Sequence, residues 1–65
     1  MNEPPRIGDR IVIFGFREYD AHVKEVKYID TEARHHIILD WGIHGTSRIY
    51  DTDEGKVWYR WNSTN

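Results

Sequence analysis

The sequence predicts an all-β domain, a small five-stranded barrel that is partly open. Short runs of β-branched and aromatic residues recur along the chain, five glycines are scattered between them, and no apolar pattern has a helical period. The 65 residues suffice for one domain. We expect the barrel to span residues 6–61, after a flexible leader over residues 1–5 and before a polar tail over residues 62–65.

The first strand is predicted over Arg10–Phe14, a β-branched and aromatic segment that follows the turn residues Gly8 and Asp9. A loop over residues 15–20 is expected to follow. An amphipathic helix over residues 18–28 is the competing interpretation of the next segment. Its β-branched residues and the absence of an apolar 3.6-residue period favour a strand.

The second strand begins at Ala21 and contains one break in its alternation. Ala21 and Val23 share a face, whereas the next apolar positions are Val26 and Tyr28, so the pattern skips a residue. A β-bulge at residues 24–25 would return Val26 and Tyr28 to the core side. The bulge would also bend the strand, as the closure of a small barrel requires.

Three further strands alternate with glycine-containing turns. His35–Trp41 is predicted to be a central strand, because its middle is apolar on both faces. The fourth and fifth strands are predicted over Thr46–Tyr50 and Lys56–Trp61. Turns over Gly42–Gly45 and Asp51–Gly55 connect them. Five short strands joined in this way match a partly open barrel of the SH3-like kind.

Composition narrows the classes of partner and compartment. The formal net charge of −2 and the pI near 6.0 oppose non-specific nucleic-acid binding, which depends on Lys and Arg displacing counterions. The absence of cysteine gives no sign of an oxidising compartment, so we expect an intracellular protein. The longest apolar run, residues 11–14, is far too short to span a membrane, and we expect no membrane partner.

Catalytic, cofactor and metal sites are not expected. A barrel of this size has almost no interior beyond its own side chains, which leaves little room for a water-excluding active site. His35 and His36 are adjacent on a strand and point to opposite faces, so they cannot chelate one metal together. Asp51–Gly55 begins like a calcium loop but lacks the remaining ligands and the flanking helices, and a turn with a glycine bulge explains it.

The residues that could carry binding are aromatic. Phe14, Phe16, Tyr19 and Trp41 lie at the end of strand one, in the following loop and at the end of strand three, which a five-stranded barrel can bring to one rim. An aromatic rim can hold a methylated ammonium or guanidinium by cation–π attraction, worth about 0.5–2 kcal/mol per ring. Core packing is the alternative for any one ring. Phe14 and Phe16 are expected on one face of strand one and its isoleucines on the other. One of the two faces must be exposed to solvent, so core packing does not account for all of the rings.

The chain resembles the Tudor domains and their chromo-barrel relatives over most of residues 8–59. Gly8-Asp9-Arg10 before an apolar strand is similar to the opening of that family. Residues 19–23 are similar to its Tyr-x-Ala-x-Ile/Val second strand, and residues 38–42 to its apolar-x-Asp-Tyr-Gly signature. The resemblance implies a Tudor-like barrel in a nuclear chromatin protein that reads methyl-lysine or methyl-arginine.

The resemblance also implies site residues. Tyr19 and Trp41 would be two walls of an aromatic cage, and Phe14 or Phe16 would be the third.

The sequence departs from the family pattern in two places. A further cage aromatic of the family falls on Ile38, and a frequent asparagine of the family falls on Ile43. The implied cage is therefore partial.

Three non-catalytic functions remain open. In the first, the chain binds a methylated peptide, such as a histone tail, through the aromatic walls, and Asp20 or Asp40 pairs with the cation. In the second, a cage-less domain docks an unmodified peptide or a partner domain through exposed rings such as Trp58 and Trp61, or through an open strand edge.

The third function is that of a nucleic-acid accessory domain, in which basic residues of the first half act with stacking aromatic rings. The basic residues it would use are Arg6, Arg10, Arg17, Lys24 and Lys27. The net acidity of the chain disfavours this function.

Overall fold

Five strands form one antiparallel sheet in the order β4-β3-β2-β1-β5. The strands are β1 (Arg10–Ile13), β2 (Ala21–Ile29), β3 (Arg34–Asp40), β4 (Thr46–Tyr50) and β5 (Trp58–Arg60). This computed structural model describes residues 3–16 and 19–61. The prediction of an all-β fold with five strands is confirmed.

Short 3-10 turns connect the last three strands. One spans Gly42–His44 between β3 and β4, and the other spans Asp51–Asp53 between β4 and β5. None of the helical turns in the described ranges is long and apolar enough to cross a membrane.

The predicted strand ends are wrong where local turns intervene. β1 ends at Ile13, because the Phe16 N–H donates to the Ile13 carbonyl oxygen at 2.9 Å and closes a turn. β5 begins only at Trp58, since the N–H groups of residues 56–57 both donate to the Asp53 carbonyl oxygen, at 2.9 Å each. β3 starts and stops one residue earlier than predicted, whereas β4 has the predicted bounds.

β2 contains the predicted β-bulge. Val23 lies opposite Leu39 and Glu25 lies opposite Ile38 in successive ladder pairs, so Lys24 is the extra residue. The apolar positions beyond the bulge therefore stay on the core side of the sheet, and the strand bends at this point.

The core combines side chains from every strand. Trp58 is its largest member and exposes none of its surface. Tyr28 shares the core-facing side of β2 but extends past the end of the core, where its ring is half-exposed and lies 5.0 Å from the ring of His35. The core cluster consists of Ile11, Ala21, Val23, Ile37, Leu39, Ile49 and Trp58.

The sheet is open between its two edge strands. Within the described residues no backbone ladder joins β4 to β5. The two edges are linked instead by a side chain, because the Trp58 Nε1–H donates to the Tyr50 carbonyl oxygen at 2.8 Å. Strand pairing in the described residues thus forms an open sheet and does not close it into a barrel.

A polar pair fastens the second 3-10 turn to β3. The Nδ1 atom of His35 lies 2.7 Å from Oδ2 of Asp51. Burial acts to raise the pKa of Asp51, but hydrogen bonds with the side chain and backbone of His35 outweigh burial and lower the pKa below its usual value. The carboxylate is therefore held in its charged form.

The predicted domain limits fall partly outside the described residues, which exclude positions 1–2, 17–18 and 62–65. Within the predicted leader, Pro5 is buried and the carbonyl oxygen of Glu3 accepts a hydrogen bond from the Arg60 guanidinium. Residues 3–5 thus contact the strands.

Candidate functional site

A cavity of about 460 Å³ opens beside β4, at the end of β1. Ile49, which belongs to the core, and Ile13, which packs against it, line the cavity from the core side of the sheet. We name this cavity the aromatic groove. Its lining residues are Ile13, Phe16, Tyr19, Trp41, His44, Thr46, Ser47, Arg48, Ile49 and Val57.

Three of the predicted rings come together in the aromatic groove. The ring centroids of Tyr19 and Trp41 are 6.3 Å apart, with their planes at 72°. The Tyr19 ring also lies 4.9 Å from the ring of His44, again nearly perpendicular. Phe16 is 53% exposed and Tyr19 is 39% exposed, so a ligand can reach both rings.

The local structure around β3 orients Trp41. Its ring packs against the core, and its Nε1–H donates to Oγ of Ser47 at 2.6 Å. The chain then turns at Gly42, whose φ of 70° lies in the left-handed region predicted for this turn. The Gly42 N–H donates to Oδ1 of Asp40 at 2.8 Å and secures the turn. Trp41 is thus a fixed wall of the groove.

Phe14 does not line the aromatic groove. Its ring lies 5.0 Å from the ring of Tyr59 on β5, and its N–H donates to the Val57 carbonyl oxygen at 3.0 Å. The expectation that Phe14 and Phe16 share a strand face is wrong, because β1 ends at Ile13 and the chain turns between the two rings. Phe16 is therefore the phenylalanine beside Tyr19 and Trp41.

The two predicted acids lie in a separate cavity. Asp20 and Asp40 line a space of about 310 Å³ together with His22, Trp41 and Gly42. Oδ1 of Asp20 already pairs with Nη2 of Arg10 at 2.5 Å. Trp41 lines both cavities, which therefore adjoin at this residue.

Sequence reasoning missed the basic residue Arg48 at the groove. Arg48 and His44 line the aromatic groove, whereas none of its described lining residues is Asp or Glu. Arg48 alternates with the apolar neighbour Ile49 along β4, and this alternation was the signal that β4 has one outward face.

Trp58 and Trp61 were predicted to be exposed docking rings, and this is wrong for Trp58. That residue points inwards from β5 and is fully buried, because the whole core packs around its indole. Trp61 is 49% exposed, and the Arg10 guanidinium lies 4.3 Å from its ring centroid.

Two of the basic residues named for nucleic-acid contact are paired with acids. Arg6 lies 4.0 Å from a carboxylate oxygen of Glu3, and Arg10 pairs with Asp20. Arg17 falls outside the described residues. Among the residues that the structure does describe, no group of three or more His, Asp or Glu side chains could hold a metal ion.

No family model, curated protein or solved structure matches the chain. The aromatic groove has accessible rings, an arginine and no carboxylate in its described lining. Such a surface can hold an apolar or aromatic side chain by burial and by edge-to-face ring contacts.

Proposed function

We propose that this chain is a non-catalytic recognition module that binds a segment of a partner protein in the aromatic groove. The observation that supports the proposal is the convergence of Phe16, Tyr19 and Trp41 around one open, largely apolar cavity. Aromatic rings that surround a pocket supply most of the affinity in many protein interfaces, because they bury large areas with little loss of conformational entropy.

The charge of the groove favours an unmodified ligand. Arg48 lines the cavity, and the nearest predicted acids, Asp20 and Asp40, line a different one. A methylated ammonium in the groove would therefore lie near like charge, with no compensating carboxylate among the described lining residues. An apolar or aromatic side chain meets no such penalty.

A reader of methylated lysine or arginine is the second candidate. The nearly perpendicular rings of Tyr19 and Trp41, with centroids 6.3 Å apart, are arranged as two walls of a cage would be. Cation–π attraction from such walls would have to exceed the repulsion from Arg48. The resemblance to Tudor domains supports this candidate and its chromatin setting.

We further propose that the sheet is a partly open SH3-like barrel of the Tudor-like type. The bulge at Lys24 bends β2, and Trp58 links β5 to Tyr50 at the end of β4. In a barrel of this type the aromatic groove is the gap that remains beside β4. A binding site at such a gap needs no enclosed interior.

The proposal is tested by selecting peptides from a display library of random sequences of about a dozen residues and synthesising the consensus peptide. Amide chemical shifts of the labelled chain are then followed during its titration. We expect the largest shifts at Tyr19, Trp41 and Arg48. The same chain is titrated with unmodified, methyl-lysine and methyl-arginine peptides and with a short nucleic-acid duplex.

Two alanine variants provide the matched comparison. Phe16→Ala removes a ring from the groove and should weaken binding of the consensus peptide by roughly 10-fold or more. Tyr28→Ala removes a similarly exposed ring at the far end of β2 and should leave binding unchanged. Failure to select any binder, or equal binding by the Phe16 variant, would contradict the proposal. Tighter binding upon methylation would establish the second candidate instead.

A further inference from the structure

We infer that the partner segment binds as an added β-strand along the free edge of β4 and carries an acidic side chain that pairs with Arg48. This inference depends on the proposed recognition function. It goes beyond that function by specifying the backbone conformation and the charge of the ligand.

Backbone N–H and C=O groups along β4 point alternately towards β3 and away from it. In an antiparallel hairpin, positions that bond to the partner strand alternate with positions whose N–H and C=O point away from it. The Trp41 N–H donates to the Gly45 carbonyl oxygen at 2.8 Å and marks a bonded pair. The register continues without a shift along the hairpin, so Thr46 and Arg48 are the outward positions next to the turn.

A separate contact supports this assignment. Tyr50 is the next outward position after Arg48, and its carbonyl oxygen accepts the Trp58 Nε1–H from the free side of β4. Trp58 thus occupies the far end of the edge. The backbone groups of Thr46 and Arg48 remain directed outwards, and both residues line the aromatic groove.

The spacing of these groups matches an extended peptide. One residue of an added strand can exchange two hydrogen bonds with an outward position, and outward positions two residues apart repeat this pattern. Alternate side chains of the added strand would then face the core side of the sheet. Ile13 and Ile49 line the groove from that side, so large apolar side chains of the ligand would enter the groove.

Charge complementarity specifies the remaining chemistry. Arg48 is exposed, and within the described part of the chain no carboxylate lies within ion-pair distance of its guanidinium. The groove beside it has no acid in its described lining. The structure therefore assigns to the ligand an acidic residue close to its apolar anchor, which also favours the correct register during association.

A proline substitution tests strand addition directly. Thr46→Pro removes an outward N–H at the first residue of an edge strand, where proline is tolerated, without removing a bond to β3. Thr46→Val loses the same hydroxyl group but keeps the N–H, so the two variants are compared with each other. We expect the consensus peptide to bind the proline variant roughly 3- to 10-fold more weakly, the effect of one backbone hydrogen bond. Thermal melts of both variants check that they fold.

A charge reversal tests the acidic contact. Arg48→Glu should weaken binding of the consensus peptide by roughly 3- to 10-fold and reduce its salt dependence. Lys27→Glu reverses an exposed charge on β2, away from the groove, and should leave binding unchanged. The selected peptides should contain more Asp and Glu than the library.

The outcomes separate this inference from the function it rests on. If the proline and valine variants bind equally while Phe16→Ala weakens binding as expected, the groove is a recognition site and strand addition is wrong. Selected peptides rich in Lys and Arg would overturn the acidic assignment. Concentration-dependent dimerisation that Thr46→Pro removes would show that the edge pairs with a second copy of the chain instead.

Discussion

The indole of Trp58 donates its Nε1–H to the carbonyl oxygen of Tyr50 at 2.8 Å, across the gap between the two edge strands. The ring fills the centre of the core, while its polar end satisfies a backbone group at the end of β4. One side chain thus performs two tasks that are usually separate, core packing and linkage of the sheet edges.

Replacement of Trp58 should therefore reduce stability strongly. Trp58→Phe removes ring volume from a fully buried position and leaves the Tyr50 oxygen without its donor. We expect the free energy of unfolding to fall by about 2–4 kcal/mol, as measured by urea denaturation. Trp61→Phe, at a half-exposed position, should change it by less than about 0.5 kcal/mol. Similar losses for the two variants would contradict the central role of Trp58.

Acid should destabilise the fold partly through Asp51. Burial opposes ionisation of Asp51, yet hydrogen bonds with His35 hold its folded pKa below the usual 3.8. The stability that ionised Asp51 contributes is therefore fully present above the pKa of Asp51 in the unfolded chain. It is lost as the pH falls through the pKa of Asp51 in the folded chain. Stability measured between about pH 5 and pH 2 should decline less steeply for Asp51→Asn than for the native chain.

Glu32 provides the comparison for this acid effect. A hydrogen bond with the His36 side chain, followed by one with Arg34, lowers the pKa of Glu32 in the same direction. Solvent screens this exposed cluster. Glu32→Gln should therefore change the decline of stability between about pH 5 and pH 2 less than Asp51→Asn does. A larger effect of the Glu32 variant would contradict the assignment.

The turn after Trp41 should depend on glycine. Gly42 has a φ of 70°, and a Cβ atom added there would meet no atom within 4 Å. The cost of Gly42→Ala is therefore purely a backbone cost, about 1–2 kcal/mol of unfolding free energy. Ile43→Ala, at a position 98% exposed, should be within about 0.5 kcal/mol of the native chain. Equal melting temperatures for the two variants would refute the backbone argument.

In the turn between β2 and β3, replacing an alanine by glycine should stabilise the fold. Ala33 has a φ of 56°, a conformation that costs an alanine about 1–2 kcal/mol. Glycine removes this cost. The greater conformational freedom of glycine in the unfolded chain, however, lowers the free energy of unfolding by about 0.4–1 kcal/mol. Ala33→Gly should therefore raise the free energy of unfolding by about 0.5–1 kcal/mol in a urea titration. A loss of stability would show that the turn is not strained at this residue.

Local patterns predicted the strands and the bulge because both depend on residues close in sequence. The skipped alternation between Val23 and Val26 located the bulge, and the run of residues 46–50 gave β4 its bounds. Tyr19 and Trp41 meet as predicted because the loop before β2 and the end of β3 lie at one end of the sheet. These features need only strand periodicity and antiparallel pairing.

The remaining features depend on where the chain turns in space. Phe14 and Phe16 separate because a turn follows Ile13, and no periodicity reveals that turn. Trp58 is buried because it lies opposite Ile13 in the β1–β5 ladder and shares the core-facing side of the sheet, a register that the pattern of β5 alone does not give. That Asp20 and Asp40 line a cavity other than the aromatic groove depends on how the loops around Trp41 pack, which strand periodicity does not reveal.

Lys24 contributes nothing to the core, yet it influences the course of β2. Without this residue Val23 and Val26 would still face inwards in a regular strand, and every apolar contact could persist. The bend of β2 at this point would be lost, and with it the present direction of the strand beyond the bulge, which pairs with β3. A change of one residue in length at this point can thus redirect the strand while the interior stays the same.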